Sequence, residues 1–306
     1  MSVRVAHTIT EVRALVAEAR STGLSIGLVP TMGALHAGHG RLIERACAEN
    51  AFVVVTIFVN PIQFNEASDY TAYPRALDDD VAFCEARGAH VVFAPSVQEM
   101  YPRPAGAFVQ VEGVSEPMEG AFRPGHFRGV ATVVAKLLNI VQADRAYFGE
   151  KDAQQLAVIR RMVDDLNFPV TIVEVETVRE PDGLAMSSRN RRLSSAERRD
   201  ALALHEALEH ARSLVAAGEL SPASIKARAS AIFANYPAVR PEYLEIVDPA
   251  GMQPVEQITA PVRIAGAVRV GAVRLIDNVL ARPPLQLDTV TSTGAFIEKP
   301  ERMEEK

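Results

Sequence analysis

The chain has 306 residues, of which 48% are hydrophobic and 23% charged, a composition typical of a globular protein and not of a disordered chain. Its formal net charge of −6 argues against a nucleic-acid-binding protein or one bound to anionic membranes, because such proteins generally present a broad positive field. An anionic ligand must therefore meet a local cluster of positive groups.

The two cysteines, Cys47 and Cys84, lack the spacing of a metal site or a disulfide framework, which favours a reducing cytoplasmic location. The segment Met1 to Arg20 is interpreted as a charged helix and not as a signal peptide. No window approaches the roughly 18 consecutive apolar residues of a membrane-spanning helix. Secretion and membrane insertion are not expected.

Apolar strands alternate with helices from the N-terminus, as a parallel sheet covered on both faces requires. The elements predicted first are a helix (9–19), a strand (25–29), a helix (38–49), a strand (52–59), a helix (75–87) and a strand (90–94). After an irregular stretch rich in proline and glycine (95–129), the predicted elements are a helix (130–142), a strand (145–148), a helix (153–166) and a strand (170–175). This pattern predicts an α/β fold, a Rossmann-like, doubly wound sheet of about five parallel strands.

The second half of the chain changes character. Ser194 and Glu197 predict a capping box that begins a long helix to about residue 217, with another helix over 222–235. Three closely joined β-rich segments (242–247, 262–270 and 272–280) predict an antiparallel sheet and a smaller α+β domain. The predicted domains are residues 1–184, which bind ligands, residues 185–285, which close over the site, and residues 286–306, a disordered tail without periodicity.

Two histidines three residues apart follow the first predicted strand and open a helix. Ligands of open α/β sheets bind at the carboxyl ends of the strands, and a helix N-terminus offers unpaired N–H groups and a partial positive charge. His36 and His39 can therefore converge on one phosphate group, and Gly33 and Gly38 allow close approach of the backbone. A lone histidine is more often an ordinary loop residue, but two at this spacing favour an anion site.

Two further clusters suit phosphates. In Phe148-Gly-Glu-Lys-Asp152, Lys151 is a point charge and Asp152 a helix cap or a ribose ligand, although such residues at strand-to-helix turns are more often solvent-facing. In the segment Met186-Ser-Ser-Arg189, two hydroxyls and a guanidinium suit triphosphate oxygens, with a polar linker as the alternative. The position of this segment between the two predicted domains would let it close over ATP.

Neutral and charged groups elsewhere suggest a second ligand. Asn60 and Gln63 follow the second strand at the sheet edge of the histidines and are candidates for binding a hydroxy acid, with an ordinary polar turn equally favoured. The pair Gln154-Gln155 adds an amide. The charged loop 118–128 is a candidate pocket wall or a solvated loop. Acidic residues such as Asp79 are favourable in a first helical turn, so a metal or ribose role there is the minor interpretation.

Taken together, these segments resemble the pantothenate synthetase (pantoate:β-alanine ligase) family. The motifs that carry the resemblance run through almost the whole chain: VPTMGALHAGH, TIFVNPIQF, YPR, EGAFRPGHFRGV, YFGEKDAQQL, DGLAMSSRN and LIDN. The histidine motif and MSSR alone also resemble the wider superfamily of nucleotidylyltransferases and class I aminoacyl-tRNA synthetases. Any one motif is weak, and their combination is specific.

The resemblance implies a homodimeric cytoplasmic ligase that joins (R)-pantoate to β-alanine through a pantoyl adenylate, with Mg²⁺ and with ATP going to AMP and pyrophosphate. It places catalysis on His39, beside which His36 and Lys151 suit charge neutralisation; the metal ligands stay unknown. It assigns Gln63 and Gln155 to pantoate and Gln63 also to β-alanine. The expected ATP-binding residues are Met32, Gly33, His36, Gly38, His39, Gly149, Glu150, Lys151, Asp152, Val178, Met186, Ser187, Ser188 and Arg189.

Two positions depart from the family pattern, since Ala37 replaces an acidic residue and Gly40 a larger apolar one. Gly40 is expected to loosen the start of its helix, by up to about 1 kcal/mol relative to alanine. Two rival functions stay open: a nucleotidylyltransferase acting on a phosphate ester, and a non-catalytic nucleotide-binding regulator. Product analysis would decide the first, and the retention of both histidines, Lys151 and the Ser-Ser-Arg loop argues against the second.

Overall fold

A computed structural model describes residues 2–65 and 67–284, without the side chains of Ala67 and Ser68. The predicted tail, 286–306, lies outside the described residues. The strands within them are β1 (Arg4–Ala6), β2 (Ile26–Thr31), β3 (Phe52–Ile57), β4 (Val91–Phe93), β5 (Arg145–Gly149), β6 (Thr171–Val175), β7 (Val239–Val247), β8 (Val262–Val270) and β9 (Val273–Ala281).

Helices connect most of these strands. The α-helices of the described residues are α1 (Ile9–Ser21), α2 (Ala37–Glu49), α3 (Ala67–Thr71), α4 (Leu77–Glu85), α5 (Val97–Met100), α6 (Glu119–Phe122), α7 (His126–Val141), α8 (Ala153–Asp165), α9 (Ser195–Asp200), α10 (Leu202–Ala216) and α11 (Pro222–Ser230). Helix α7 begins four residues earlier than predicted, because Gly125 adopts a left-handed φ of +83° and turns the chain directly into the helix. None of these helices is long and apolar enough to cross a membrane.

The long helix predicted after Ser194 is in fact two helices. The capping box of Ser194 and Glu197 forms as predicted, with both reciprocal hydrogen bonds present. Helices α9 and α10 then meet at Ala201. The helix predicted over 222–235 is likewise divided. It is α-helical only as α11, to Ser230, and continues as a 3₁₀-helix, Ala231–Asn235.

The first sheet is parallel throughout, in the order β1-β4-β3-β2-β5-β6. This confirms the predicted α/β class, with six strands in place of about five. Strand β1 lies within the segment interpreted as helical; it has three residues and pairs with β4 at the sheet edge, so its length is too short for a periodic signal. The strand order extends in opposite directions along the sheet from β2 and β5, which makes a switch point between them, where open α/β sheets bind ligands.

Both faces of this sheet are covered, which explains its nearly continuous apolar strands. Helices α1, α7 and α8 supply buried side chains on one face, such as Val12, Val134 and Ile159. Helices α2 and α4 cover the other, with Ile43 and Cys84. The parallel sheet is therefore buried between two layers of helices.

The second sheet is antiparallel, in the order β7-β8-β9, as predicted. Helices α10 and α11 pack on it, and Leu204, Leu208 and Ile225 are buried in a core that runs from Leu184 to Ala281. The predicted division at residues 184 and 185 stays a prediction.

Candidate active site

A cavity of about 230 Å³ opens at the carboxyl ends of β2 and β5, at the switch point. It brings together groups from four separate predicted clusters. The predicted site residues that line it are Met32, His36, Gly38, His39, Gln63, Gly149, Lys151, Asp152, Gln155, Val178, Met186, Ser187, Ser188 and Arg189. The other three, Gly33, Glu150 and Asn60, are not among the lining residues.

The two histidines cap their own helix. The Nδ1 atom of His36 accepts a hydrogen bond from the Gly38 N–H (3.2 Å), and Nδ1 of His39 accepts one from the His36 N–H (3.3 Å). The ring centroids are 4.1 Å apart. A neutral imidazole that accepts at Nδ1 carries its hydrogen on Nε2, so both rings are Nε2–H donors beside the cavity.

Burial keeps both rings neutral. It lowers the pKa of His36 to about 4, helped by the charges of Lys151 and Arg191, and the pKa of His39 to about 3, helped by His36 and Lys151. Two uncharged N–H donors next to a lysine therefore face any anion here. A Cβ atom on Gly38 would lie 2.9 Å from Cε1 of His36, so only glycine leaves room for this ring.

Asp80 holds the loop that carries the histidines. Its carboxylate accepts hydrogen bonds from the N–H groups of Ala34 (2.9 Å) and Leu35 (2.8 Å) and packs against Gly33. Both Gly33 and Ala34 have left-handed φ values, +82° and +51°, and Ala34 tolerates this strain because its N–H is fixed. Asp79 lies in the first turn of α4, as the main interpretation of the acidic run had it, and it is exposed, whereas Asp80 is the buried member of that run.

Lys151 enters the cavity from a 3₁₀-turn, Glu150–Asp152, at the end of β5. Its Nζ lies 3.8 Å from Oδ1 of Asp152, and Asp152 makes no capping bond with α8, so its carboxylate stays available. Glu150, a predicted ATP ligand, does not line the cavity, and its contact with ATP stays a prediction. Its carboxyl shares a hydrogen bond with Glu174, and this bond, with burial and the charge of Glu174, raises the pKa of Glu150 to about 7.

The Ser-Ser-Arg segment is tied to the chain that follows β6. The Met186 N–H donates to the Val178 carbonyl (2.9 Å), and the Ser187 side chain accepts from the Arg189 N–H (3.3 Å). This turn delivers the two hydroxyls and the Arg189 guanidinium to the cavity wall facing the histidines.

Gln63 reaches the cavity from the other side and is oriented by Asn60. The Asn60 amide donates to Oε1 of Gln63 and to the Gly129 carbonyl, both at 3.1 Å, and its oxygen accepts from the Tyr101 hydroxyl. Asn60 is only 1% exposed. Asn60 does not line the cavity, whereas Gln63 does, and the Gln63 amide also donates to Sδ of Met32 (2.9 Å). The predicted contact of Asn60 with a substrate stays a prediction.

The adjacent glutamines at the start of α8 divide their tasks. Gln154 is buried and bonds the carbonyls of Val114 and Pro117 and the N–H of Glu119, which is a structural role. Gln155 lines the cavity. Of these two adjacent glutamines, only Gln155 therefore lines this cavity, and its contact with pantoate stays a prediction.

Comparison with known proteins gives the family of this chain. The sequence model of the family described as pantoate-beta-alanine ligase matches residues 4–280. The chain belongs to the pantoate–β-alanine ligase family. A pantothenate synthetase of Moorella thermoacetica is 52% identical over 274 residues, 90% of this chain and 97% of that protein, and one of Rhizobium meliloti is 50% identical over 282 residues, 92% and 97%.

Solved ligase structures share the fold. The pantothenate synthetase of Thermus thermophilus has a TM-score of 0.85 at 48% identity, covering 90% of this chain and 98% of that one. The pantoate-beta-alanine ligase of Francisella tularensis, described as complexed with beta-gamma ATP and beta-alanine, has a TM-score of 0.76 at 33% identity, covering 91% and 97%.

The ligase cavity also contains groups that the sequence pointed to only as a charged loop. Arg123 and His126 line it. His126 donates from Nδ1 to the Gln63 carbonyl (2.9 Å), and its Nε2 lies 3.2 Å from Nη1 of Arg123, from which it accepts. Burial and the Arg123 charge lower the pKa of His126 to about 4. The signal was present in the Arg-Pro-Gly-His spacing, but only the fold aims these side chains inward.

Proposed function

We propose that the chain condenses (R)-pantoate with β-alanine to pantothenate through a pantoyl adenylate, releasing AMP and pyrophosphate. Membership of the ligase family supplies the overall reaction. The observation that carries the two-step route is the shared cavity: phosphate-type donors from three loops and the two neutral amides of Gln63 and Gln155 face one space.

ATP lies with its phosphates at the start of α2. The Nε2–H groups of His36 and His39, the helix N-terminus, Lys151 and the Ser187 to Arg189 turn surround the triphosphate. Met32 and Val178 line the space beside the nucleoside, and Asp152 accepts from a ribose hydroxyl. The Francisella relative is described as complexed with beta-gamma ATP, which supports ATP as the nucleotide.

Pantoate lies between the nucleotide and the amides. Gln63 and Gln155 hydrogen-bond its hydroxyls, and β-alanine later enters on the Gln63 side. Neutral amides suit this task because they bind hydroxyls without withdrawing charge from the carboxylate, which must stay nucleophilic. The apolar wall of α7, including Val130, Val133 and Val134, suits the methyl groups of the acid.

In the first step a carboxylate oxygen of pantoate attacks the α-phosphorus, and the bond to the pyrophosphate oxygen breaks. The carboxylate is already ionised, so this step needs no base. Charge that develops on the phosphates must instead be stabilised in place, which preorganised donors do without rearranging. The neutral Nε2–H groups of His36 and His39 and the Lys151 ammonium have this function.

In the second step the amine of β-alanine attacks the acyl carbon, the C–N bond forms, AMP leaves as the C–O bond breaks, and the proton lost from nitrogen passes to water or to the departing phosphate. The amine must be neutral to attack. His36 and His39 are not arranged to take its proton, since their Nδ1 atoms already accept backbone hydrogen bonds. Their part is to hold the departing phosphate.

Mg²⁺, when bound, neutralises phosphate charge. The described residues contain no group of three or more His, Cys, Asp or Glu side chains that could hold a metal, and Asp80 is committed to the backbone. Mg²⁺ would be held mainly through phosphate oxygens and water, the ligands that it favours beside phosphates. The homodimer and the cytoplasmic location implied by the family stay predictions.

Substrate omission tests the proposed function. Isotope exchange between pyrophosphate and ATP is expected to require pantoate but not β-alanine, because it reports the first step alone. Steady AMP release is expected to require both acids. Exchange at an equal rate without pantoate, or AMP appearing in a dinucleotide-like product instead of free, would show that the reaction is wrong.

A further inference from the structure

Two adjacent residues of the second sheet reach across to the loops of the ATP site. Asp277 and Asn278 lie on β9, and each is 5% exposed. They belong to the LIDN motif, to which the proposed reaction gives no task. Asn278 binds the loop of Lys151, and Asp277 binds the chain that leads to the Ser187 to Arg189 turn.

Asn278 bonds the Lys151 loop directly. Its Nδ2 donates to the carbonyls of Glu150 (2.9 Å) and Lys151 (3.0 Å). Both hydrogens of the amide are therefore used on two successive peptide groups of the 3₁₀-turn. This fixes the orientation of the backbone from which the Lys151 side chain extends.

The amide cannot turn over, because its oxygen is also held. Oδ1 of Asn278 accepts from Nη1 of Arg263 on β8 (2.9 Å). Arg263 is itself buried, and its Nη2 lies 3.4 Å from Oε1 of Glu174 on β6. Reversal of the amide would place its N–H groups against a guanidinium and its oxygen against two carbonyls.

Asp277 binds the second loop through Arg179. The two side chains form a bidentate pair at 2.6 and 3.0 Å, the geometry that makes arginine–carboxylate pairs strong and directional. Nη1 of Arg179 also donates to the Gly183 carbonyl (3.0 Å), and Arg179 bridges to Ala185, one residue before Met186. The pair thus anchors the start of the Met186 to Arg189 segment.

We propose that Asp277 and Asn278 are positioning residues that set the spacing between Lys151 and the Ser187 to Arg189 turn. This rests on the proposed function, in which both loops hold one triphosphate. Because neighbouring residues on one strand fix both loops, the distance between the loops is set by a rigid sheet and not by either loop alone. The two residues act through Lys151 and the turn, and touch no substrate.

A double-mutant cycle tests this. Asn278→Ala is expected to lower kcat/KM for ATP in the pyrophosphate exchange at least about tenfold, with the KM for pantoate within about twofold. In a Lys151→Ala background the same change is expected to cost less than about threefold, because coupled residues are not additive. Equal losses of kcat/KM for ATP in the wild-type and Lys151→Ala backgrounds would overturn the proposal. So would a lower fraction of active enzyme with an unchanged KM for ATP.

A matched control is available in Asn50, which is 6% exposed and donates to the Ala46 carbonyl and the Tyr147 hydroxyl. Asn50→Ala is expected to lower stability without raising KM for ATP, and its effect should add to that of Lys151→Ala. If Asn278→Ala does not fold, Asn278→Ser keeps one donor and should show a smaller loss of the same kind. A serine variant with wild-type KM and kcat for ATP would also contradict the proposal.

Calorimetric titration with ATP alone separates this inference from the proposed function. Wild-type exchange that does not need pantoate refutes the function, whatever the variants do. The positioning role predicts weaker ATP binding by Asn278→Ala and by Asp277→Asn even in the absence of pantoate. Wild-type ATP affinity in both variants would refute the positioning role and leave the function standing.

Discussion

At the scale of single residues, the chemistry of this site depends on neutral groups in fixed orientations. His36, His39 and His126 each use Nδ1 on the backbone, the first two as acceptors and the third as a donor. Backbone partners thereby decide which ring nitrogen faces the cavity. Sequence spacing predicted that His36 and His39 converge, but it carried no information about their tautomers.

His39→Ala is expected to leave the fold intact and to reduce adenylate formation at least about a hundredfold, as loss of a preorganised donor does. Pyrophosphate exchange measures the rate, and circular dichroism the fold. His7→Ala, which removes an exposed histidine, serves as the control. Near-normal exchange by His39→Ala would remove this residue from the mechanism.

The lowered pKa values of His126 and His39 also predict how stability depends on pH. The pKa of each is lowered from an ordinary 6.5, to about 4 for His126 and about 3 for His39. Between about pH 6.5 and 4 the unfolded chain therefore binds more protons than the folded one, so stability falls as the pH falls, by up to about 1.4 kcal/mol per pH unit for each group.

Urea unfolding between pH 7 and 5 checks this dependence. His126→Asn is expected to be less stable than the wild type at pH 7 but to lose stability less steeply on acidification, by about one proton's slope. Parallel curves for the two proteins would show that His126 is not kept neutral by the fold.

At the scale of elements, glycines set the distances on which the site depends. Gly129 lets α7 pack directly on the turn that carries Gln63, since a Cβ there would lie 2.4 Å from the Ile62 carbonyl oxygen and 2.6 Å from Cα of Gln63. These are backbone atoms, so the clash cannot be relieved by rotating a side chain. A helix-propensity argument alone would have predicted stabilisation on replacing this glycine.

Gly129→Ala is accordingly expected to raise KM for pantoate several-fold and to destabilise the fold by about 1 to 3 kcal/mol, the usual cost of overpacking. Initial rates at varied pantoate and chemical denaturation measure the two effects. Gly106→Ala adds a methyl group that meets nothing within 4 Å and should change neither. An unaltered KM in Gly129→Ala would contradict the role of this contact.

Gly40 illustrates a compensation that the sequence did not reveal. It was expected to loosen the start of α2. In the structure the Arg87 side chain occupies the space beside Gly40, where a Cβ atom would lie 2.5 Å from Nε of Arg87. The Arg87 guanidinium lies 3.5 Å from the Phe83 ring centroid. Gly40→Ala is expected to stabilise the Arg87→Ala variant more than the wild type, toward the roughly 1 kcal/mol of helix propensity. Thermal unfolding of the four proteins checks this, and equal effects in both backgrounds would count against it.

At the scale of the whole molecule, buried charges join the parallel sheet region to the antiparallel sheet. Glu119 of α6 is 5% exposed and binds Arg274 at 2.6 and 2.7 Å and the Tyr243 hydroxyl at 2.9 Å. Burial alone would raise its pKa, but the bonds and charge of Arg274 lower it. A buried pair of this kind is costly to break, because one charge is left without a partner.

Glu119→Gln is therefore expected to lower the free energy of unfolding by about 3 kcal/mol or more. Glu18→Gln, which removes an exposed ion pair with Arg4, is expected to change it by less than about 1 kcal/mol. Urea unfolding of the two variants gives the comparison. Similar small effects would show that the two sheets are not held together by this cluster.

The amino-acid sequence by itself determined the class of fold, most helices and strands, and the groups that meet in the cavity, because hydrophobic periodicity and strand-to-helix turns are local signals. The sequence did not predict the short strand β1, the break between α9 and α10 at Ala201 or the early start of α7. Only the tertiary structure decided that Asn60 orients Gln63, that Asp80 and not Asp79 holds the histidine loop, and that Asn278 grips the Lys151 turn. Such choices depend on which backbone groups lie opposite a side chain, and those partners are up to 128 residues away along the chain.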